Sequence, residues 1–171
     1  MATSLMKRLL AVAALCVTAS ITIPANAQNP HGKKFKDWRI HCNSSAGAPA
    51  ICIMVQEVVF KNTGKRILQF VVRYSENAET LIGDIILPLG IYLPAGVTMQ
   101  IDKGQVFEIP IELCTDGQMR GCRARFSFNT ELLASIKAGG KAKVVFQDAR
   151  HTPVPVPVSL AGFTAGLKAI K

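Results

Sequence analysis

The chain has 171 residues, a formal net charge of +9 and five cysteines. That length holds one domain with a sizeable core and is too short for two ordinary ones. The positive balance suits anionic lipid headgroups, lipopolysaccharide, acidic glycans or an acidic protein, while scattered basic residues on an exported chain exclude nucleic acid as a partner.

Residues 1–27 read as a secretory signal. Lys7 and Arg8 precede an apolar run from Leu9 to Ile23, then Pro24 and the small-x-small triplet Ala25-Asn26-Ala27, after which cleavage is expected. The run falls short of the roughly 20 apolar residues a spanning helix needs, and Cys16 follows the bulky Leu15, which disfavours lipidation there. Cleavage removes Cys16 and two positive charges, leaving Cys42, Cys52, Cys114 and Cys122 for an oxidising compartment. The periplasm is the expected location, with outer-membrane association or secretion as alternatives. Residues 28–34 read as a flexible basic arm and 35–171 as a single disulfide-stabilised domain. Lys33, Lys34 and Lys36 are the densest basic group, read as a solubilising terminus or a surface-tethering patch.

Strand signals follow. Phe35 to Cys42 puts Trp38, Ile40 and Cys42 on one face and Asp37, Arg39 and His41 on the other. Ala50 to Phe60 and Arg66 to Tyr74 form a hairpin around the turn Lys61-Asn62-Thr63-Gly64. Residues 81–87 (LIGDIIL) form another apolar strand, in which Gly83 marks either a bulge or a close backbone approach. Pro88, Gly90, Pro94 and Gly96 punctuate the middle of the chain; Val97 to Ile101 then extends to a turn at Asp102-Lys103-Gly104, with Gln105 to Cys114 as its return. Arg123 to Asn129 alternates, with Ala124, Phe126 and Phe128 expected in the core and the arginines expected wet. A helix capped by Asn129 or Thr130 runs to Gly139-Gly140, and Lys141 to Asp148 is again a strand. Prolines at every second position from Thr152 to Val158 indicate an edge strand or a polyproline-like cover. A final short helix within 160–169 is weakened by Gly162 and Gly166. The pattern predicts a mainly β protein, a two-sheet antiparallel sandwich with one or two short helices.

Four cysteines allow three pairings. Pairing Cys42 with Cys52 and Cys114 with Cys122 is favoured, because each pair flanks a short connection between predicted strands; long-range staples across the sandwich stay open. With no CxxC, structural crosslinks are expected rather than exchange chemistry or zinc binding. Catalytic signatures are missing: Ser159 lacks GxSxG, and no phosphate loop or HExxH occurs. His41 and Cys42 point to opposite faces of one strand, and Asp102, Glu108, Glu112 and Asp116 read as solvated strand positions or turn caps. No catalytic residue, metal or cofactor is therefore assigned. Residues 87–97 (LPLGIYLPAGV) carry more large apolar groups than an ordinary loop. Core packing is the default; a protein or membrane contact, or homo-oligomerisation, through Ile91, Tyr92 and Leu93 is the alternative.

The order Trp38-Arg39-Ile40-His41-Cys42, the Cys52 strand, LPLGIYLPAGV, Cys114, Gly121-Cys122, Phe126, Leu132-Leu133 and residues 158–163 resembles the invasion-associated locus B family of exported proteobacterial proteins. The resemblance covers nearly all of the chain after the signal. It implies an immunoglobulin-like sandwich in the periplasm or at the outer surface, with Cys42, Cys52, Cys114 and Cys122 as structural cysteines. It also implies an association with host-cell invasion and virulence, and it supplies no catalytic residue. The expected function is a non-enzymatic envelope or surface binding module that meets an envelope or host-surface component; a structural or homo-oligomeric periplasmic role and a hydrolase with a dispersed site are the alternatives.

Overall fold

Period-two alternation produces β2 (Trp38–Asn43), whose Trp38, Ile40 and Cys42 are buried while Arg39, His41 and Asn43 are exposed. The computed structural model describes residues 30–43, 50–117 and 120–171; the signal segment lies outside them. β2 belongs to a sheet with β1 (Lys34–Phe35), β3 (Ile51–Val59), β4 (Arg66–Tyr74), β5 (Leu81–Leu87), β8 (Ile111–Thr115) and β9 (Gly121–Ser127), in the order β1-β2-β3-β4-β5-β9-β8. The second sheet contains β6 (Val97–Ile101), β7 (Val106–Ile109), β10 (Lys141–Gln147) and β11 (Pro153–Ser159), ordered β11-β10-β6-β7. Every pairing is antiparallel, and the two inner faces enclose one main core. This is the expected two-sheet sandwich.

Aromatic rings fill its centre. Trp38 meets Phe70 and Phe163 edge-on, with centroids 5.5 and 5.4 Å apart. Gln56, a buried polar residue of β3, clips the sheets together: its Nε2 donates to the Ser159 carbonyl at 2.8 Å and its Oε1 accepts from the Ser159 N–H at 2.9 Å. One amide thus replaces the two backbone partners Ser159 would find in a ladder, satisfying donor and acceptor at once.

The expected helix forms as α1 (Thr130–Ala138), with Asn129 Oδ1 accepting the Leu132 N–H at 2.8 Å. The proline run is β11, an edge strand whose Pro153, Pro155 and Pro157 are exposed while Val156 and Val158 are buried. Having no N–H, the prolines blunt that edge against further pairing. A second helix, α2 (Phe163–Ala169), closes the core despite its glycines because both sit where a Cβ does not fit freely. At Gly162, φ is +88° and a Cβ would overlap the Phe35 carbonyl; at Gly166 it would lie 3.2 Å from Met54.

Three expectations are corrected. The segment Gln105 to Cys114 is two strands, not one: Pro110 interrupts it, β7 pairing with β6 in the smaller sheet and β8 with β9 in the larger. Without an N–H, Pro110 breaks the ladder where the chain changes sheets. Arg123 and Arg125 are not wet; their side chains retain only 21% and 32% exposure because both lean onto Asp84. The start of the domain also extends into the basic arm: the Gly32 N–H donates to the Ile40 carbonyl, the Ile40 N–H to the Lys33 carbonyl, and Lys34 stands opposite Arg39.

Gly83 marks a close approach rather than a bulge, since pairing through β4, β5 and β9 is continuous around it. The Phe126 ring lies directly on its Cα, where a methyl group would overlap the ring. Gly83→Ala is therefore expected to lower stability by about 1–3 kcal/mol, the usual cost of overpacking. Urea denaturation measures it, and Phe126→Leu in the same chain should return part of the loss; an unchanged midpoint for the single variant refutes this account.

Candidate functional site

The outer face of the larger sheet is where charge and apolar surface meet. Strand register sets out its rows: Arg39, Val55, Val71, Asp84 and Arg125 lie side by side across β2, β3, β4, β5 and β9. On the β4–β5–β9 part of the flanking rows stand Arg73 with Ile82 and Ser127, and Gln69 with Ile86 and Arg123. Val55, Val71 and Ile86 are buried although they point away from the main core, and Ile53 packs against them. Long polar side chains at neighbouring positions of the same face are the groups able to shelter this aliphatic strip from water.

Asp84 is the buried centre of the charge cluster. Arg125 donates from Nε to Oδ1 at 2.7 Å and from Nη2 to Oδ2 at 3.4 Å. Arg73 Nε stands 3.7 Å from Oδ2 and Arg123 Nε 3.9 Å from Oδ1. Three guanidiniums therefore share one carboxylate, and Glu112 takes up part of the excess through Arg123 Nη2 at 3.6 Å. The hydrogen bond that Arg125 donates to Asp84, reinforced by the charges of Asp84 and Glu112, raises the Arg125 pKa against the opposing effect of burial. Arg123 Nε is buried without a hydrogen-bond partner. Toward β1 the face deepens into a groove of about 680 Å³, lined by the cations Lys34 and Arg39, the carboxylates Asp37 and Glu57, the polar His41 and Gln69, and the aliphatic Ile53 and Val55.

The residues singled out from sequence are dispersed. Of the basic group Lys33, Lys34 and Lys36, Lys34 lines the groove, where Arg39, a residue not singled out from sequence, joins it; Lys33 and Lys36 are exposed. The apolar middle belongs to the other sheet: Ile91 bridges to Asp148, and the Tyr92 N–H donates to the Gln147 carbonyl at 2.9 Å. Tyr92 also stacks on His151 at 3.9 Å, leaving Leu93, 46% exposed, as the outward group of the three. Asp148 organises the turn beneath, accepting from the Arg150 and Thr152 N–H groups; the Thr152 bond foremost holds its carboxyl below the usual range.

The disulfides form as favoured, Cys42–Cys52 and Cys114–Cys122, each joining directly opposed residues of adjacent strands. Asp102 receives the Gly140 and Lys141 N–H groups, and Glu112 engages Arg123, so two of the four carboxylates clustered in sequence serve a turn and an ion pair. Among the described residues, no group of three or more His, Cys, Asp or Glu side chains could hold a metal. Sequence reading missed Asp84, Arg73, Arg123 and Arg125 as one site. The available signal was a lone carboxylate inside the apolar strand LIGDIIL, which demands cationic partners once buried.

The family model described as invasion associated locus B (IalB) protein matches residues 38–171, nearly all of the described domain. The chain belongs to the IalB family. The crystal structure of invasion associated protein b from Bartonella henselae superposes on this IalB-family protein with a TM-score of 0.69 at 24% identity, covering 81% of this chain and 92% of that one. At that identity the likeness establishes the shared fold. No curated protein matches the chain.

Proposed function

We propose that this IalB-family protein is exported, cleaved after Ala27, and works in the periplasm or at the outer surface of the envelope as a noncovalent binding module. The leader, the two disulfides and the family support export. The observation that carries the binding reading is the outer face of the larger sheet. Three guanidiniums converge there on one carboxylate above a sheltered aliphatic strip, and the helices leave it open because Phe163 and Gly166 of α2 and Leu132 and Ile136 of α1 pack inward. Its groups recognise and hold; none is placed as a nucleophile beside a base. In a bacterium that invades cells, the same face would serve the host contact to which the names of the family and of the Bartonella protein refer.

Photocrosslinking in intact cells tests this. A benzophenone amino acid replacing Arg39 on the larger sheet is expected to trap a partner in much higher yield than one replacing Lys143 on the smaller. Equal yields, or none from position 39, reject the face. An adduct of two copies of this chain would replace the reading with a homo-oligomeric one.

A further inference from the structure

The binding reading leaves the partner's chemistry open, and the face narrows it. Lys34 and Arg39 are exposed on adjacent strands, face the same side and form no ion pair among the described residues. Further along, the three arginines outnumber the carboxylates they share, and their side chains keep 21–32% of their exposure. Planar guanidiniums match tetrahedral phosphate with paired N–H donors, so the unfilled capacity is of the kind phosphate oxygens satisfy. Between these cations, Ile53 and Ile82 are partly exposed beside the sheltered strip, offering aliphatic contact next to the anion seats.

Seven strands at about 4.8 Å spacing span about 30 Å, a broad platform that extends well beyond the groove at its β1 side. The outward positions of its central strands carry no Trp, Tyr or Phe, the rings that dominate protein–protein hot spots. Resting on the proposed function above, we infer that the outer face of the larger sheet docks on a phosphate-bearing anionic lipid surface. Lys34, Arg39 and the exposed parts of the Arg73–Arg123–Arg125 cluster meet headgroup phosphates, with Ile53 and Ile82 as the aliphatic surface beside them. Attraction of basic residues to anionic lipid supplies most of the affinity, and the aliphatic groups fix orientation.

Flotation of the oxidised mature protein with phosphatidylcholine vesicles, with or without phosphatidylglycerol, tests the inference. Binding is expected only with phosphatidylglycerol, at about 0.1 M salt and not at about 1 M, where the screening length falls to about 3 Å. Neutralising Lys34→Gln with Arg39→Gln should lower partitioning about 30-fold, about fivefold for each cation. Lys141→Gln with Lys143→Gln, on the opposite sheet, should leave it within about twofold, since those lysines would face away from the lipid. Both pairs are exposed, so folding is preserved and circular dichroism verifies it. Equal binding to both vesicle types, or equal loss in both variants, overturns the inference, as does displacement by inorganic phosphate at matched ionic strength, which would mean a discrete anion seat. If vesicles fail to bind while the probe at position 39 still captures a protein in cells, the lipid inference falls and the binding face stands; if both fail, both fall.

Discussion

Removing both disulfides is expected to cost about 5 kcal/mol. In the chain-entropy account each crosslink removes loop freedom from the unfolded chain, and loops of about 10 and 8 residues correspond to about 2.5 kcal/mol apiece. A domain of this size has about 5–15 kcal/mol in total, so the reduced protein should be marginal at growth temperature. The bonds also sit at mechanically informative places. Cys42–Cys52 fastens β2 to β3 near one edge of the larger sheet, and Cys114–Cys122 fastens β8 to β9 at the other. Reduction should therefore loosen the margins first, releasing Arg39 on β2 and Arg123 on β9 from the register that assembles the candidate face. Urea denaturation of oxidised and reduced protein measures the total, and hydrogen exchange should show β2 and β8 amides losing protection before those of β4 and β5. Coincident midpoints would refute this role for the crosslinks.

How much of this was legible depends on the range of the interaction. Hairpins, caps and local crosslinks are encoded within a dozen residues, so the alternation from Trp38 to Cys42, the Asn129 cap, the proline edge and the two cysteine pairs follow from spacing and residue chemistry, whereas Phe35, expected on the same strand, pairs opposite Trp38 across a turn at Lys36 and Asp37. Sheet membership is not local. Alternation assigns a face to each residue between Gln105 and Cys114 but does not say which sheet each half joins, although Pro110 marks the break. The apolar middle was ambiguous for a related reason: Leu87 ends β5 in one sheet and Val97 begins β6 in the other, so core residues bracket the crossing. The charge cluster was least legible. Asp84 and Arg125 are 41 residues apart, and only the pairing of β5 with β9 brings them together. Period-two reasoning placed Arg125 outside, correctly, and then equated outside with wet; the outer face has its own sheltered strip.

Asp84→Ala is the outer-face substitution expected to cost most, about 3 kcal/mol. Breaking a buried ion pair by removing one partner costs about 3–5 kcal/mol because the charge left behind is uncompensated; the lower end applies here because Arg73, Arg123 and Arg125 keep 21–32% of their side-chain exposure. Arginine gives this site its sensitivity. A lysine or histidine could shed its proton when stripped of its carboxylate, but a guanidinium does not deprotonate, and Asp84 already holds the Arg125 proton more firmly than usual. Three cations would then repel one another over Val71 and Ile86, with Glu112 reaching only Arg123. Asp84→Asn should cost less, since an amide oxygen can still accept from Arg125, and the difference between the two variants isolates charge from shape. A drop in melting temperature of about 6–12 °C for the alanine variant is expected, at about 2–4 °C per kcal/mol for a domain of this size. If Asp84→Ala instead leaves the midpoint unchanged, solvent rather than the carboxylate balances the guanidiniums, and the cluster would be free to exchange Asp84 for an external anion.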